Sequence, residues 1–328
     1  MNAGCTRSAG IACTVGLVLL VGLPQTFGGP PPEKVPEAGG SSSAISGARV
    51  FATPEQAADA LIAAAATFDV PALLQILGPG SEPIIRSGEE PLDRQRAKAF
   101  VDEAGTSKRV SIEPQTGGRA VLLVGAGQWP FPVPIVKQGN GWVFDAAAGR
   151  EELLNRRIGS NELDAIEICR GFVTAQREYA LARREAGGPT EYAQRIISTP
   201  GKRDGLAWRT TDGRWEGPIG ERIARAIEQG YASRADPYHG YYFKVLTGQG
   251  ASAPLGAMDF VIDGLMIGGF ALMAAPAQYG ATGVKTFIVS HDGVVYEKDL
   301  GPGTLQAFAA ATRFDPDSTW SRVPETRQ

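Results

Sequence analysis

The stretch that decides the fold is GGFALMAAPAQYGATGVKTFIVSHDGVVYEKDLG, residues 268–301. It contains three runs rich in apolar, β-branched and aromatic residues, at 268–276, 284–290 and 294–300. The first two runs are separated by AQYGATG, and the last two by HDG, in which Asp-Gly is a common hairpin pair. The stretch therefore predicts a three-stranded antiparallel meander.

A long helical pattern precedes this meander, over residues 160–188. Ser160 is a suitable N-cap, and Gly187 with Gly188 is a suitable end. Its apolar residues recur on one face and predict packing on the sheet; they are Leu163, Ile166, Cys169, Phe172, Val173 and Ala180. Residues 159–328 are therefore predicted to form an α+β domain, a long helix against an antiparallel sheet.

The first half of the chain predicts a second α+β domain, over residues 49–158. Thr53 and Asp69 are expected to cap two helices, a third helix follows at 91–105, and four short strands come next. This order is similar to the cone-shaped nuclear-transport-factor-like fold. Within WPFPVPIVK (129–137), three prolines at period two favour an edge strand, the alternative being a polyproline segment bound by a partner.

The N-terminus is typical of an exported protein. Residues 1–28 contain Arg7 and then a short apolar run at 11–23, which predicts a cleaved signal peptide, the alternative being an uncleaved anchor. Residues 29–48 are rich in Pro, Gly and Ser and predict a disordered tether. The expected location is the periplasm or the medium, with no stable membrane span after cleavage and with Cys169 as the one remaining cysteine.

Composition and missing motifs limit the function. The net charge of −3 gives no basic footprint for nucleic acid. The sequence lacks the zinc-protease, paired-cysteine, nucleophile-elbow, Walker and dinucleotide motifs, so no cofactor and no catalytic residue is assigned.

Three groups of residues are candidate sites. The two histidines with nearby carboxylates could bind a ligand or a metal, and they are His239, His291, Asp292 and Asp236. The alternative is that His291 and Asp292 only form a hairpin turn. Lys202 and Arg203, between two glycines, could bind an anion, or could lie on a solvated loop. The aromatic residues near them could line a cleft or pack in the core; they are Trp208, Trp215, Tyr238, Tyr241 and Tyr242.

Two resemblances add to this interpretation. FATPEQAADAL (51–61), WPFPVPIVK (129–137), AAGREELLNRRIGSNEL (147–163), STPGKRDGLAW (198–208), YHGYYFKVLT (238–247) and the opening stretch together resemble the bacterial domain of unknown function 2950 family. That resemblance implies export and no assigned activity. From residue 161 onward the chain is similar to the soluble head of pilin and pseudopilin proteins, although here a folded domain precedes the helix.

The sequence thus favours an exported, non-catalytic binding or envelope-associated protein whose partner is an envelope component or a small ligand. The alternative is a metal-dependent or acid–base hydrolase acting on an envelope polymer.

Overall fold

The computed structural model describes residues 47–115, 117–220 and 237–324. The predicted signal peptide, nearly all of the tether and residues 221–236 lie outside the described residues. The chain divides into two compact units, Met1–Leu153 and Leu154–Gln328, whereas the sequence placed the boundary after residue 158. Each unit combines helices with antiparallel strands in its described part, so the fold class is α+β, as predicted.

Four helices begin the described part of the first unit: α1 Pro54–Ala66, α2 Val70–Leu77, α3 Glu82–Ile85 and α4 Glu90–Thr106. The Gln56 N–H donates to Thr53 Oγ1 at 3.2 Å, and the Ala72 N–H donates to Asp69 Oδ1 at 3.1 Å. Both predicted caps are therefore confirmed. The caps satisfy N–H groups that the first turn of a helix leaves without partners.

A five-stranded antiparallel sheet follows: β1 Lys108–Ile112, β2 Arg119–Val124, β3 Trp129–Pro130, β4 Ile135–Gln138 and β5 Gly141–Phe144. Its order is β1-β2-β4-β5, with β3 also paired to β2. The edge-strand prediction for residues 129–137 is confirmed for β3, which pairs with β2 alone among the described strands, and is wrong for β4, which pairs on both sides. Pro132 and Pro134 precede the paired run, so the ladder does not need the N–H groups that proline lacks.

Helix α5, Ala146–Glu185, is one uninterrupted helix. The predicted start at Ser160 is therefore wrong, and Asp145 caps the helix instead, accepting from the Ala148 N–H at 3.0 Å. An isolated glycine such as Gly159 costs a helix only about 1 kcal/mol, which packing elsewhere can offset. None of the helices in the described ranges is long and apolar enough to cross a bilayer.

The second unit adds thirteen strands to its part of α5 within the described residues. They are β6 Arg195–Ile197, β7 Gly205–Arg209, β8 Trp215–Glu216, β9 Tyr241–Leu246, β10 Gly248–Gln249, β11 Met258–Asp259, β12 Val261–Ile262, β13 Leu265–Met266, β14 Ala271–Pro276, β15 Lys285–Ser290, β16 Val295–Asp299, β17 Arg313–Phe314 and β18 Ser321–Arg322. A 3-10 turn at Gly301–Gly303 leads into helix α6, Thr304–Ala310.

The main sheet of this unit has the order β18-β16-β15-β14-β9. The predicted meander is its centre, with Ala274 opposite Phe287 and Ile288 opposite Tyr296. Smaller sheets have the orders β6-β7-β8, β11-β10-β17 and β12-β13. The apolar stripe of α5 and the large side chains of the main sheet share one core, although Leu163, expected in that stripe, is exposed.

Candidate functional site

A polar pocket of about 240 Å³ lies in the second unit. Helix α5, the segment 191–194 that follows it, and the loop before β7 form its walls. The lining residues are Tyr179, Arg183, Glu191, Tyr192, Gln194, Arg203 and Asp204. Tyr179 and Arg183 are four residues apart on α5, so both side chains lie on the same face of the helix.

Buried hydrogen bonds hold the wall formed by residues 191–194. Gln176 of α5 is fully buried, and its side-chain amide donates to the Ala193 carbonyl and accepts from the Ala193 N–H, both at 2.8 Å. On the other side, the Tyr192 N–H donates to the Met266 carbonyl at 2.8 Å. Because these bonds are to backbone groups, they fix the position of the backbone from which the side chains of this segment extend into the pocket.

An ion pair crosses the pocket wall between α5 and this segment. The Arg183 Nε donates to Glu191 Oε1 at 2.7 Å, and the Arg183 Nη2 lies 2.5 Å from the same oxygen. The Glu191 side chain is only 11% exposed. A carboxylate this buried needs its cationic partner, so the pair makes a wall that is polar but neutral.

The loop at residues 199–205 is closed by its own polar groups. The Asp204 carboxylate accepts from the Thr199 N–H and from the Thr199 hydroxyl, both at 2.8 Å. Burial alone would raise the pKa of Asp204, but the hydrogen bonds from Thr199 outweigh it and hold this pKa below its ordinary value. At neutral pH, Asp204 is therefore a charged acceptor. Gly205 is needed next, because a Cβ there would lie 2.6 Å from the Ser198 nitrogen.

Of the two predicted anion-binding residues, Arg203 lines the pocket and Lys202 does not. Arg203 lines it: its carbonyl accepts from the Tyr179 hydroxyl at 2.5 Å, and its guanidinium lies 5.1 Å from the centre of the Trp208 ring. Its Nη2 is also 3.8 Å from Glu216 Oε2, with 68% of the arginine side chain exposed. Lys202 is exposed and is not among the lining residues.

The five aromatic residues of the predicted cleft do not come together at this pocket. Trp208 lies beside Arg203, but Trp215 is buried against Ala207. Tyr241 is buried in the core, where its hydroxyl donates to the Lys285 carbonyl at 2.8 Å.

Tyr238 packs against the ring of His239, with centroids 4.4 Å apart. Tyr242, the next residue of β9, points to the opposite side of the sheet from Tyr241. Trp208 therefore lies beside a residue of the pocket, Arg203, and none of the five aromatic residues is among the residues that line it.

The two histidines have different surroundings. His239 Nδ1 lies 2.7 Å from Asp164 Oδ2, near the middle of α5. His291 packs edge-on against Phe260 and Phe270, and its backbone carbonyl accepts from Arg177 Nη2 at 3.2 Å.

These contacts separate the histidines along the helix. Asp164 and Arg177 are thirteen residues apart, which corresponds to about 20 Å of helix. The strand register agrees: His239 precedes the end of β9 that pairs with Pro276, and His291 follows Ser290, which pairs with Ala271. A single metal ion, bound at about 2 Å by each ligand, cannot be shared by them.

The carboxylates predicted to join the histidines have other positions. Asp292 accepts from the Ser290 hydroxyl at 2.9 Å and from the Val294 N–H at 3.1 Å, which is the turn alternative. Asp236 lies outside the described residues. Within the described ranges, no three His, Cys, Asp or Glu side chains are grouped to hold a metal ion.

A second set of polar contacts joins one turn of α5 to the main sheet. The Asn161 side chain donates to the Thr282 carbonyl at 2.9 Å, and Glu162 Oε1 accepts from the N–H groups of Val284 and Lys285, both at 2.9 Å. Together with the Asp164–His239 pair, these contacts form a group that we call the helix clamp. The clamp fixes the rotation of α5 about its axis, and so the face that Tyr179 and Arg183 present.

Cys169 does not contribute to a site. It is fully buried in the core, and burial raises the pKa of its thiol to about 12. The reactive form of cysteine is the thiolate, so this side chain is inert in the folded protein.

Most pocket residues were missed from the sequence. Tyr179 and Arg183 are spaced by one helical turn and followed by a Gly-Gly stop, which is a local signal for a helix end that can carry a site. Glu191 has no such signal, because it lies beyond the chain reversal that follows α5 and meets its partner Arg183 only in the folded structure.

The chain is therefore an α+β protein whose second unit carries a polar pocket of mutually paired charges. The Protein of unknown function (DUF2950) family matches residues 48–323, and the chain belongs to that family. No curated protein and no solved structure matches the chain.

Proposed function

We propose that this protein is exported to the periplasm or the medium and is a non-catalytic binding or envelope-associated protein. The apolar run at residues 11–23 supports export. The observation that carries the binding function is the pocket beside α5, where about 240 Å³ of space is lined by charged and hydroxyl groups held in place by one another.

The protonation states of these groups favour recognition over proton transfer. A general acid or base works best when its pKa is near the working pH. The pKa of Asp204 is held below its ordinary value, whereas burial raises the pKa of Tyr179, which donates to the Arg203 carbonyl. Each group therefore keeps one protonation state at neutral pH and offers a fixed pattern of donors and acceptors.

The charged rim of the pocket favours a small anionic ligand group. The contact of Arg203 with Glu216 is long, at 3.8 Å, and both side chains are more than half exposed. Exposed ion pairs of this kind contribute at most about 1 kcal/mol, so an anion can take the place of Glu216. Lys202, next in the chain, adds a second positive charge outside the pocket.

Calorimetric titration with glycerol 3-phosphate tests this function, with glycerol as the neutral reference. The protein from Gly29 onward is used, since it retains every described residue. We expect glycerol 3-phosphate to bind and Arg203→Ala to weaken it about 10- to 100-fold, because a hydrogen bond to a charged group contributes about 1.5–3 kcal/mol.

Arg214→Ala is the matched control, since Arg214 is also exposed but pairs with Asp212 at 2.6 Å. Equal effects of the two arginine variants, or no binding of glycerol 3-phosphate, would refute the proposal.

The alternative function, a hydrolase acting on an envelope polymer, is supported by the Asp164–His239 pair. A carboxylate on Nδ1 orients the ring and leaves Nε2 to act as a base. The release of soluble fragments from purified peptidoglycan measures this hydrolase activity. Release by the wild type that Asp164→Asn abolishes would establish the hydrolase in place of the binding function.

We also propose the finer fold relationships suggested by the sequence. The packing of α5 on an antiparallel sheet supports a pilin-head-like second unit. The helices and the antiparallel sheet of the first unit support a nuclear-transport-factor-like fold.

A further inference from the structure

The two carboxylates that line the pocket are more buried than its two guanidinium groups. Of the carboxylate side chains, 11% of Glu191 and 35% of Asp204 is exposed. The arginine side chains reach further into solvent, with 41% of Arg183 and 68% of Arg203 exposed. A ligand group that enters the pocket therefore meets carboxylate oxygens in its more buried part.

One oxygen of the Glu191 carboxylate is free to accept a hydrogen bond. Both contacts from Arg183 reach Glu191 Oε1, through Nε at 2.7 Å and Nη2 at 2.5 Å. Glu191 Oε2 has no hydrogen-bond partner among the described residues, yet it is not sealed from solvent. Since most buried polar atoms have a partner, an oxygen left in this way beside a pocket points to a donor on a ligand.

Two further side chains of the pocket have unfilled acceptor positions. The Gln194 side-chain nitrogen donates to the Gly264 carbonyl at 2.6 Å, which leaves the amide oxygen for another donor. The Asp204 carboxylate accepts one bond at each oxygen, from the N–H and from the hydroxyl of Thr199. An ionised carboxylate has about four acceptor positions, so Asp204 keeps spare capacity.

The Tyr179 hydroxyl shows that the two carboxylates face the same space. Burial raises the pKa of this hydroxyl, and the charges of Glu191 and Asp204 raise it further, so both carboxylates lie near it. The Tyr179 hydroxyl donates its proton to the Arg203 carbonyl and offers a ligand only its lone pairs. The groups around this part of the pocket therefore call for a ligand that donates.

We propose that the pocket binds a small molecule with a primary ammonium group, which donates to Glu191 Oε2. An ammonium has three N–H donors and no acceptor, so it matches a group of unfilled acceptors. Hydrogen bonds that involve charged groups are about twice as strong as neutral ones, which favours an ammonium over a hydroxyl beside a buried carboxylate.

The size of the pocket favours a short carbon chain. Pockets for whole small ligands usually measure about 300–1,000 Å³, and this one is smaller, at about 240 Å³. The inference rests on the proposed binding function of the pocket and names the class of ligand. The ammonium is separate from the anionic group proposed above, so the two can be tested apart.

Three phosphates of similar size test the ammonium by calorimetric titration of the protein from Gly29 onward. O-phosphoethanolamine carries the ammonium, 2-hydroxyethyl phosphate replaces it with a hydroxyl, and phosphocholine keeps the positive charge without an N–H donor. We expect O-phosphoethanolamine to bind at least about tenfold more tightly than either of the others, because each of them lacks the charged hydrogen bond to Glu191.

Glu191→Gln then locates the ammonium. This substitution keeps the shape of the side chain and removes its charge, so the preference for O-phosphoethanolamine over 2-hydroxyethyl phosphate should fall to within about threefold. Retained binding of 2-hydroxyethyl phosphate reports that the variant is folded. Glu167→Gln is the matched control and should keep the preference, since Glu167 also pairs with an arginine of α5, Arg170 at 2.6 Å, but does not line the pocket.

The outcomes separate this inference from the proposed function. If 2-hydroxyethyl phosphate binds within about threefold of O-phosphoethanolamine, the ammonium is refuted and the anionic group stands. If phosphocholine binds as tightly as O-phosphoethanolamine, or if Glu191→Gln keeps the full preference, donation to Glu191 is refuted. If Glu191→Gln does not fold, the three probes on the wild type still decide the proposal.

Ethanolamine, which has no phosphate, is the last probe. If it binds to the wild type while glycerol 3-phosphate does not, the ammonium stands and the anionic group fails. If neither ethanolamine nor any of the phosphates binds, the ammonium and the proposed function both fail.

Discussion

Replacing Gln176 with leucine removes both hydrogen bonds that hold residues 191–194 against helix α5. The N–H and the carbonyl of Ala193 would then lose these hydrogen-bond partners while remaining buried, since Ala193 is fully buried. Each unpaired buried backbone group costs about 1–3 kcal/mol. Leucine has a similar size and is apolar, which offsets part of this, so we expect a net loss of about 2–4 kcal/mol.

Hydrogen exchange at the Ala193 amide measures this loss locally, without requiring the two units to unfold together. A loss of about 2 kcal/mol corresponds to exchange about 30-fold faster than in the wild type. Gln306→Leu on the exposed surface of α6 is the control, where a change within about 0.5 kcal/mol is expected. The pocket wall should loosen with Gln176→Leu, so binding of glycerol 3-phosphate should weaken too.

One result would refute this reasoning. If the Ala193 amide exchanges within about threefold of the wild-type rate while the circular dichroism spectrum is unchanged, the loss is below about 0.7 kcal/mol. The buried amide of Gln176 would then not hold the wall, and another contact would have to position Glu191.

Three further perturbations test other parts of the second unit. Glu162→Ala leaves the N–H groups of Val284 and Lys285 without their carboxylate, so we expect a loss of about 2 kcal/mol, or roughly 4–8 °C in Tm; a change under about 1 °C would contradict the helix clamp. Cys169, with a pKa near 12, should not react with a thiol reagent at pH 8 until urea unfolds the protein, and fast labelling of the native chain would show that α5 opens. The pKa of Asp204 is lower in the folded state, so its ionised carboxylate stabilises the fold fully above the ordinary pKa of 3.8, and this stabilisation is lost as the pH falls through the folded-state pKa. Asp204→Asn should remove this part of the acid unfolding profile, and an unchanged profile would contradict the role of Asp204.

The parts of the fold that local physics determines could be predicted from the sequence. The caps at Thr53 and Asp69 depend on residues three positions apart, and the meander depends on strand patterns separated by turn residues. The start of α5 could not be predicted this way. Gly159 and Ser160 favour a helix boundary locally, but Asn161 and Glu162 bond to a turn some 120 residues later and hold this part of the helix in place.

The candidate site divides along the same line. Arg203 was identified because a cation between glycines is a local signal, and the structure places it on the pocket. Glu191 and Gln176 could not be identified from the sequence, since their roles depend on partners across the chain reversal after α5. The two histidines were grouped because both lie near strand ends, and the order of the strands places those ends apart.

The helix clamp and the pocket also determine which changes in chain length this protein family can accept. Between Asp164 and Gln176, helix α5 links two sets of bonds by a fixed number of residues. Inserting or deleting one residue there turns everything beyond it by about 100° and shifts it by about 1.5 Å. Either the clamp or the pocket wall would lose its partners, so natural variation in length should accumulate in loops and spare this span of the helix.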